Sequence, residues 1–344
     1  MEWTNLFLDW RFMKILFYQS KDDTLSINLL FEIIRQNLPR SLEFSTLYFR
    51  YNGSSLWDRV FDVVSVAFKS RDCINHVIGD FNYATFFMPK GKTILTIHDL
   101  YRLYVYNANP FKTFIFKWFW LRIPILKSAV VTAVSQCTRD EILKYANCAP
   151  EKIRVIYNCI SPDFKPVPKI FNKEKPVLLQ MGTRANKNIE RLVQAIAGIH
   201  CKLDIVGKPN QETIELLHHC KIDYNWGSNL SKKEIIQKYA DCDMLVFVST
   251  YEGFGMPIIE ANAVERAVVT SNVSAMPEIA GNAACLVDPL DIASIREGII
   301  RVIGDDAYRQ SLIEAGRKNK ARFEAKNIAG QYHDLYKEVY SKNI

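Results

Sequence analysis

Short apolar, β-branched runs alternate along this chain with segments whose apolar positions recur every three or four residues. In the first half the runs fall at 15–19, 44–48, 75–77, 93–97, 129–133 and 153–156, with helical spacing at 27–36 and 138–145. The rhythm restarts at 177–181, 203–206, 244–248, 267–270 and 284–287, with helical spacing at 189–197 and 232–239. Ser231-Lys-Lys-Glu234 has the form of a capping box and marks the start of the last of these helices. Near-continuous apolar strands alternating with helices imply parallel sheets covered on both faces. Between the two halves lies SPDFKPVPKIFNKEKP, residues 161–176, whose four prolines suit a linker and neither a helix nor a central strand. The pattern therefore predicts an α/β protein of two tandem, doubly wound, Rossmann-like domains facing a cleft. Their expected bounds are 1–165 and 166–325, with a helical tail, 326–344, packing back on the first domain.

A length of 344 residues accommodates two such domains, and 24% charged residues is an ordinary globular value. No apolar run approaches 18 residues, so no transmembrane helix is expected. Residues 1–12 lack the small-residue site of a secretory leader and read as an extension or a misassigned start. Eight dispersed cysteines without a Cys-x-x-Cys pair suit reduced thiols in a cytoplasmic protein. The net charge of +7 is uneven, +6 in residues 1–165 against +1 in the remainder. A basic first half suits an anionic partner, lipid headgroups or a phosphate-bearing substrate, and scattered surface lysines suit it equally.

Residues 109–128, NPFKTFIFKWFWLRIPILKS, join aromatic and basic side chains. Lys112, Lys117, Arg122 and Lys127 are five apart, so each step turns about 140° and the charges spiral. Pro124 interrupts a helix here. The segment reads as a core helix with tethering lysines, peripheral membrane contact being the alternative.

The densest chemistry is STYEGFGMPIIEANA, residues 249–263. A buried strand, 244–248, feeds a loop at its carboxyl end, where ligands of doubly wound sheets bind. Gly253 and Gly255 let backbone approach a ligand, and Pro257 suits the first turn of a helix whose N-terminus attracts anions. Glu252 and Glu260 flank that turn as acceptors. Hydroxyls at both ends and a diphosphate between them, as in a nucleotide sugar, match the arrangement. No Gly-x-Gly-x-x-Gly follows a strand, which argues against a dehydrogenase, and no Gly-x4-Gly-Lys-Ser/Thr supports an NTPase.

The segment EGFGMPIIE resembles the E-x7-E signature of the retaining, GT-B-fold glycosyltransferases of family 4, which include bacterial polysaccharide and lipopolysaccharide enzymes. MGTRANKNIERLVQAI (181–196), LDIVGK (203–208), DCDMLVFVST (241–250) and VTSNVSAMPEIAGNAACLVDP (269–289) are similar to the segments around it. TILTIHDL (93–100), VVTAVSQCTRDEIL (130–143) and VIYNCISPDF (155–164) are similar in the first half. The resemblance implies a nucleotide-diphosphate sugar as donor substrate, no cofactor and no nucleic-acid partner; no metal is expected, on the reading that no Asp-x-Asp metal pair stands in the chain. It implies a glycan or lipid-linked saccharide as acceptor, and a cytoplasmic enzyme or one peripheral on the cytoplasmic membrane face.

By the same resemblance Glu252, with the backbone of Gly253, Phe254, Gly255 and Met256, contacts the donor sugar. Glu260 holds the ribose, and Gly182, Arg184 and Lys187 surround the diphosphate. Lys187 neutralises the leaving group, and His98 lies near the reacting carbon. Catalytic roles thus fall to His98, Lys187 and Glu252, while His76, Asp80 and Tyr83 are acceptor-side candidates. Asn186 stands where the family carries Arg, and Glu265 and Ala267 where it carries Gly and Pro. The turn after the first strand also lacks a glycine pair. Two rival readings remain: a silent sugar-nucleotide-binding partner of another transferase, against which both glutamates and Lys187 argue, and a GT-B nucleotide-sugar epimerase, which would share the fold but should lack the E-x7-E composite.

Overall fold

The computed structural model describes residues 13–20, 26–49, 66, 68–79, 81–106 and 109–343. The chain divides into two units, one of Met1–Cys159 with Ala325–Ile344 and one of Ile160–Glu324. The first therefore ends before the proline-rich stretch, not after Lys165. That stretch is bound to the second unit: the Val167 carbonyl accepts from Arg266, and the Asn172 N–H donates to Asp243.

The first unit carries a six-stranded parallel sheet in the order β2-β1-β3-β4-β5-β6. Its strands are β1 (Lys14–Ser20), β2 (Glu43–Phe49), β3 (Ile74–Val77), β4 (Thr93–Ile97), β5 (Val130–Ala133) and β6 (Ile153–Val155). Alternate side chains of β1 feed two cores: Leu16 and Tyr18 on one face, Ile15 and Phe17 on the other. Helices Ser26–Gln36 and Ala325–Ser341 close the second face, the latter burying Ile328, Tyr332, Leu335 and Tyr336.

The second unit carries strands β7 (Val177–Met181), β8 (Lys202–Val206), β9 (Asp223–Gly227), β10 (Met244–Phe247), β11 (Ala267–Ser271) and β12 (Cys285–Val287). All pairings are parallel, in the order β12-β11-β10-β7-β8-β9. The strand order reverses between β7 and β10, so the loops leaving their carboxyl ends flank a crevice suited to a ligand. Strand β9 was not expected. Its sequence, DYNWG, is a sheet edge in which only Tyr224 packs partly against the core, and so it carries no run of apolar positions.

The segment 109–128 also differs from expectation. It is helical in three continuous pieces, Pro110–Ile115, a π-helical Phe116–Arg122, and Ile123–Lys127. Pro124 has no N–H for the carbonyl of Trp120, four residues back. The Asn82 amide donates to that carbonyl instead, at 2.6 Å, and the wider π-turn accommodates the ring. Phe116, Leu121, Pro124 and Ile125 are buried, while most of the remaining face lies in solvent.

Candidate functional site

Strand β7 ends at Met181 and the backbone turns at Gly182, whose φ of +86° is left-handed. A Cβ there would press on the Lys187 side chain at 3.1 Å, so glycine lets the lysine lie across the turn. Residues Ala185–Lys187 form one 3₁₀ turn, Asn188 takes φ +59°, and the helix Ile189–Ile196 follows. The buried Asn188 amide donates to the carbonyls of Val248 and Pro289 at 3.0 and 2.7 Å. Two positions earlier, Asn186 donates to the Tyr251 carbonyl at 2.9 Å and to Glu252 Oε1 at 3.2 Å. The Thr250 N–H returns a bond to the Asn186 carbonyl at 2.8 Å. Two asparagines, one on either side of Lys187, thus fasten the loop after β7 to the loop after β10.

These anchors bring Lys187 Nζ to 2.6 Å from Glu252 Oε1, both side chains being largely covered. The ammonium also sits 4.8 Å from the centre of the Phe247 ring. Across 2.6 Å, at an effective dielectric constant of about 20, the attraction is about 6 kcal/mol before desolvation. A ligand separating the two must therefore offer each a replacement: an anion for Lys187, hydrogen-bond donors for Glu252. The Glu252 backbone is fixed as well, its N–H donating to Ser274 Oγ at 3.2 Å and its carbonyl accepting from the same hydroxyl at 2.7 Å.

Beyond Glu252 the Phe254 ring is buried edge-on to Phe323, with ring centroids 5.6 Å apart. Gly255, at φ +101°, then opens the helix Met256–Ala263. One turn in, Glu260 Oε2 accepts from the buried Tyr239 hydroxyl at 2.6 Å. Burial pushes the Glu260 carboxyl up to about 7, against the lowering effect of the Tyr239 bond and of Lys187. Lys187, Glu252 and Glu260, with the backbone from Gly253 to Met256, therefore belong to one crevice at the β7–β10 reversal. Arg184 lies at its exposed rim, without an ion-pair partner among the described residues.

The first unit treats its candidates differently. His98 follows β4 half-buried, with Nε2 2.9 Å from the Ile78 carbonyl, so Nε2 carries the proton. Asp99 caps the next helix by accepting the Tyr101 N–H at 2.9 Å. His76 cannot touch an acceptor. It is wholly buried, Nδ1 at 2.8 Å from the Tyr336 hydroxyl and Nε2 at 2.7 Å from Thr96 Oγ1, and burial lowers its pKa to about 3. Tyr83 packs half-buried against Phe49, Phe81 and Trp120. Asp80, residues 1–12 and part of the turn after β1 lie outside the described residues.

Sequence reasoning passed over the anchors Asn188, Ser274 and Tyr239, none of which carries a motif of its own. It also passed over Asp241-Cys-Asp243, an Asp-x-Asp spacing. Asp243 is buried and accepts the N–H groups of Val177 at 2.8 Å and Asn172 at 3.1 Å, which fixes the start of β7. Among the described residues no three His, Cys, Asp or Glu side chains cluster as metal ligands do. Glu265, in place of glycine, does take φ +64°, and Arg317 holds its carboxylate at 2.7 Å.

Residues 72–164 match the family described as Glycosyltransferase Family 4, and residues 163–319 match Glycosyl transferases group 1. The serotype-specific mannosyltransferase WbdA of Escherichia coli is 23% identical over 269 residues, 69% of this chain and 32% of WbdA. The O-antigen chain mannosyltransferase RfbU of Salmonella typhimurium is 28% identical over 217 residues, 60% of this chain and 59% of RfbU. The chain thus matches about a third of WbdA's length and somewhat over half of RfbU's. In structure it resembles Anabaena HepE, crystallised with UDP and glucose, at a TM-score of 0.76 and 16% identity, covering 95% of this chain and 100% of that one.

Proposed function

Since the chain belongs to the group 1 and family 4 glycosyltransferases of GT-B fold, we propose that it transfers a hexose from a nucleotide-diphosphate sugar to a glycan or lipid-linked saccharide in cell-surface polysaccharide synthesis. Mannose is the first sugar to test, because WbdA and RfbU are named as mannosyltransferases. The observation that carries the reading is the Lys187–Glu252 pair, with Glu260 one turn into the following helix. On this reading the diphosphate takes Lys187 from Glu252, and the freed carboxylate accepts hydroxyls of the sugar.

Transfer then retains the anomeric configuration. The acceptor oxygen bonds to the anomeric carbon as the carbon–oxygen bond to the diphosphate breaks, and a leaving phosphate oxygen takes the acceptor's proton. Lys187 offsets the charge that develops on the diphosphate, a task for a compact, mobile ammonium. A double displacement requires a carboxylate nucleophile at the anomeric carbon. On this reading Glu252 is engaged by hydroxyls of the sugar, and no other residue is put forward for that part. Lys187 and helix N–H groups take the part that a metal ion has elsewhere, so the reaction is metal-independent.

The test is to incubate the protein with UDP- and GDP-hexoses, a chelator and a saccharide acceptor, and to read the new linkage by NMR. An α-linkage formed from an α-linked donor is expected. A β-linkage, or transfer that stops with chelator, would overturn the corresponding half of the mechanism.

A further inference from the structure

The helix Lys232–Asp241 starts at the Ser231–Glu234 capping box and buries a single residue, Tyr239. That side chain is wholly enclosed, and its hydroxyl meets Glu260 Oε2 at 2.6 Å. Among the described residues Glu260 Oε1 has no hydrogen-bond partner. A tyrosine that only filled space here could equally be phenylalanine, because a buried hydroxyl is costly unless it is bonded. The ring has its own support. Phe164 stands edge-on to it, with ring centroids 5.5 Å apart. The neighbouring Asp163 pairs with Lys232 at 2.5 Å. Lys232 and Tyr239 are seven positions apart, two turns along one face, so two consecutive residues grip the helix at both ends.

The hydroxyl has two consequences for the carboxylate. The last torsion of a glutamate is soft, so an untied carboxylate offers a ligand no fixed oxygen. With Oε2 tied, Oε1 is left for a ligand's hydroxyls. A bond from a neutral O–H also favours the charged carboxylate over the protonated one. Burial pushes the Glu260 carboxyl up to about 7, and the Tyr239 bond, Lys187 and Lys232 all act against it. Both cations are shared, Lys187 with Glu252 and Lys232 with Asp163. The helices Met276–Ala280 and Asp306–Asn319 and strands β10 and β11 also pack on the Glu260 helix, and among the described residues they bring no charge to its carboxylate. Tyr239 stays protonated throughout, since burial and then Glu260 hold its pKa well above the usual tyrosine range.

We propose that Tyr239 is a positioning residue for the donor: by holding Glu260 Oε2 it presents Oε1 to the ribose hydroxyls of the nucleotide sugar. The inference rests on the reading of this crevice as a nucleotide-sugar site. Tyr239→Phe removes the hydroxyl and keeps the ring against Phe164. The experiment compares wild type, Tyr239→Phe, Glu260→Gln and the double variant, by titration calorimetry with a nucleotide sugar and by steady-state transfer, from pH about 6 to about 8.5. Near pH 7 Tyr239→Phe should bind about fivefold more weakly, with KM raised and kcat nearly unchanged. It should regain most of that loss by pH about 8.5, because a carboxylate without its donor ionises at higher pH. In the Glu260→Gln background the same substitution should change affinity by less than about twofold, since the hydroxyl acts through Glu260. A tyrosine with only a packing role would weaken binding equally in both backgrounds and leave the pH midpoint in place. That result would overturn the proposal, as would wild-type affinity in Tyr239→Phe while Glu260→Gln binds weakly. Wild-type affinity in both single variants would instead remove Glu260 from the donor site, and with it the reading on which the proposal stands.

Discussion

Ionising Glu260 should control nucleotide-sugar affinity. If its carboxylate accepts the ribose hydroxyls, the ionised form is the binding form, while burial holds the group up to about 7 in the free protein. Raising the pH from about 6 to about 8 takes the ionised fraction from about one-tenth to about nine-tenths, so the association constant should rise about tenfold. A nucleotide sugar is the right probe, because its diphosphate is esterified at both ends and has no proton to lose in this window. Titration calorimetry across the range should show the rise, and Glu260→Gln should bind weakly at every pH with no rise. The same group acts oppositely on stability. Its folded-state pKa lies above the unfolded value of 4.5, so the free protein keeps a proton that the unfolded chain has already released. This group's contribution to stability therefore falls as pH rises from 4.5 to about 7. Glu260→Gln should stabilise the free protein at pH about 8 by as much as about 3 kcal/mol. An affinity flat with pH, or a pH dependence that survives in Glu260→Gln, would refute the role.

The remaining predictions concern other parts of the frame. Lys187→Ala should lower the rate of transfer about a hundredfold or more, with nucleotide-sugar affinity changed far less; unchanged turnover would remove the leaving-group role. Arg266→Met should lower stability by about 3 kcal/mol or more, read from the urea midpoint, because the buried guanidinium donates to the carbonyls of Val167, Ala240, Cys242, Val264 and Glu265. A loss below about 1 kcal/mol would mean that water replaces those bonds. His76 is held neutral, its pKa lowered by burial to about 3 from 6.5, so the unfolded chain takes up a proton that the folded one refuses. Stability should fall by about 1.4 kcal/mol per unit as pH drops below 6.5, and His76→Gln should flatten that slope, measured by urea titration at several pH values.

Much of this fold was legible because parallel strands buried on both faces are near-continuously apolar, as MLVF in β10 and AVV at the start of β11 are. The edge strand β9 was not legible, since its pairing is a backbone matter and most of its side chains face solvent, with Tyr224 only partly covered. At the site, Glu252, Glu260 and the glycines could be read because their spacing across a strand–loop–helix junction is itself the signal. Asn188, Ser274 and Tyr239 act through contacts made only when distant loops meet, which one sequence does not display. His76 misled because it stands near the end of a strand, where a ligand contact and a core residue look alike. Its place was settled by Tyr336, 260 residues away, donating or accepting across the buried ring. The segment 109–128 misled for the opposite reason: apolar composition implied burial, and the helix turned most of its rings outward.

The central claim is that the β7–β10 crevice holds a nucleotide-diphosphate sugar. Its most direct test is the binding of UDP-, GDP-, ADP- and dTDP-sugars to purified protein, with and without chelator, alongside Glu260→Ala. The account predicts that one of these donors binds tightly, that chelator leaves its affinity unchanged, and that Glu260→Ala abolishes the interaction. Failure of all of them to bind a demonstrably folded wild type would contradict it.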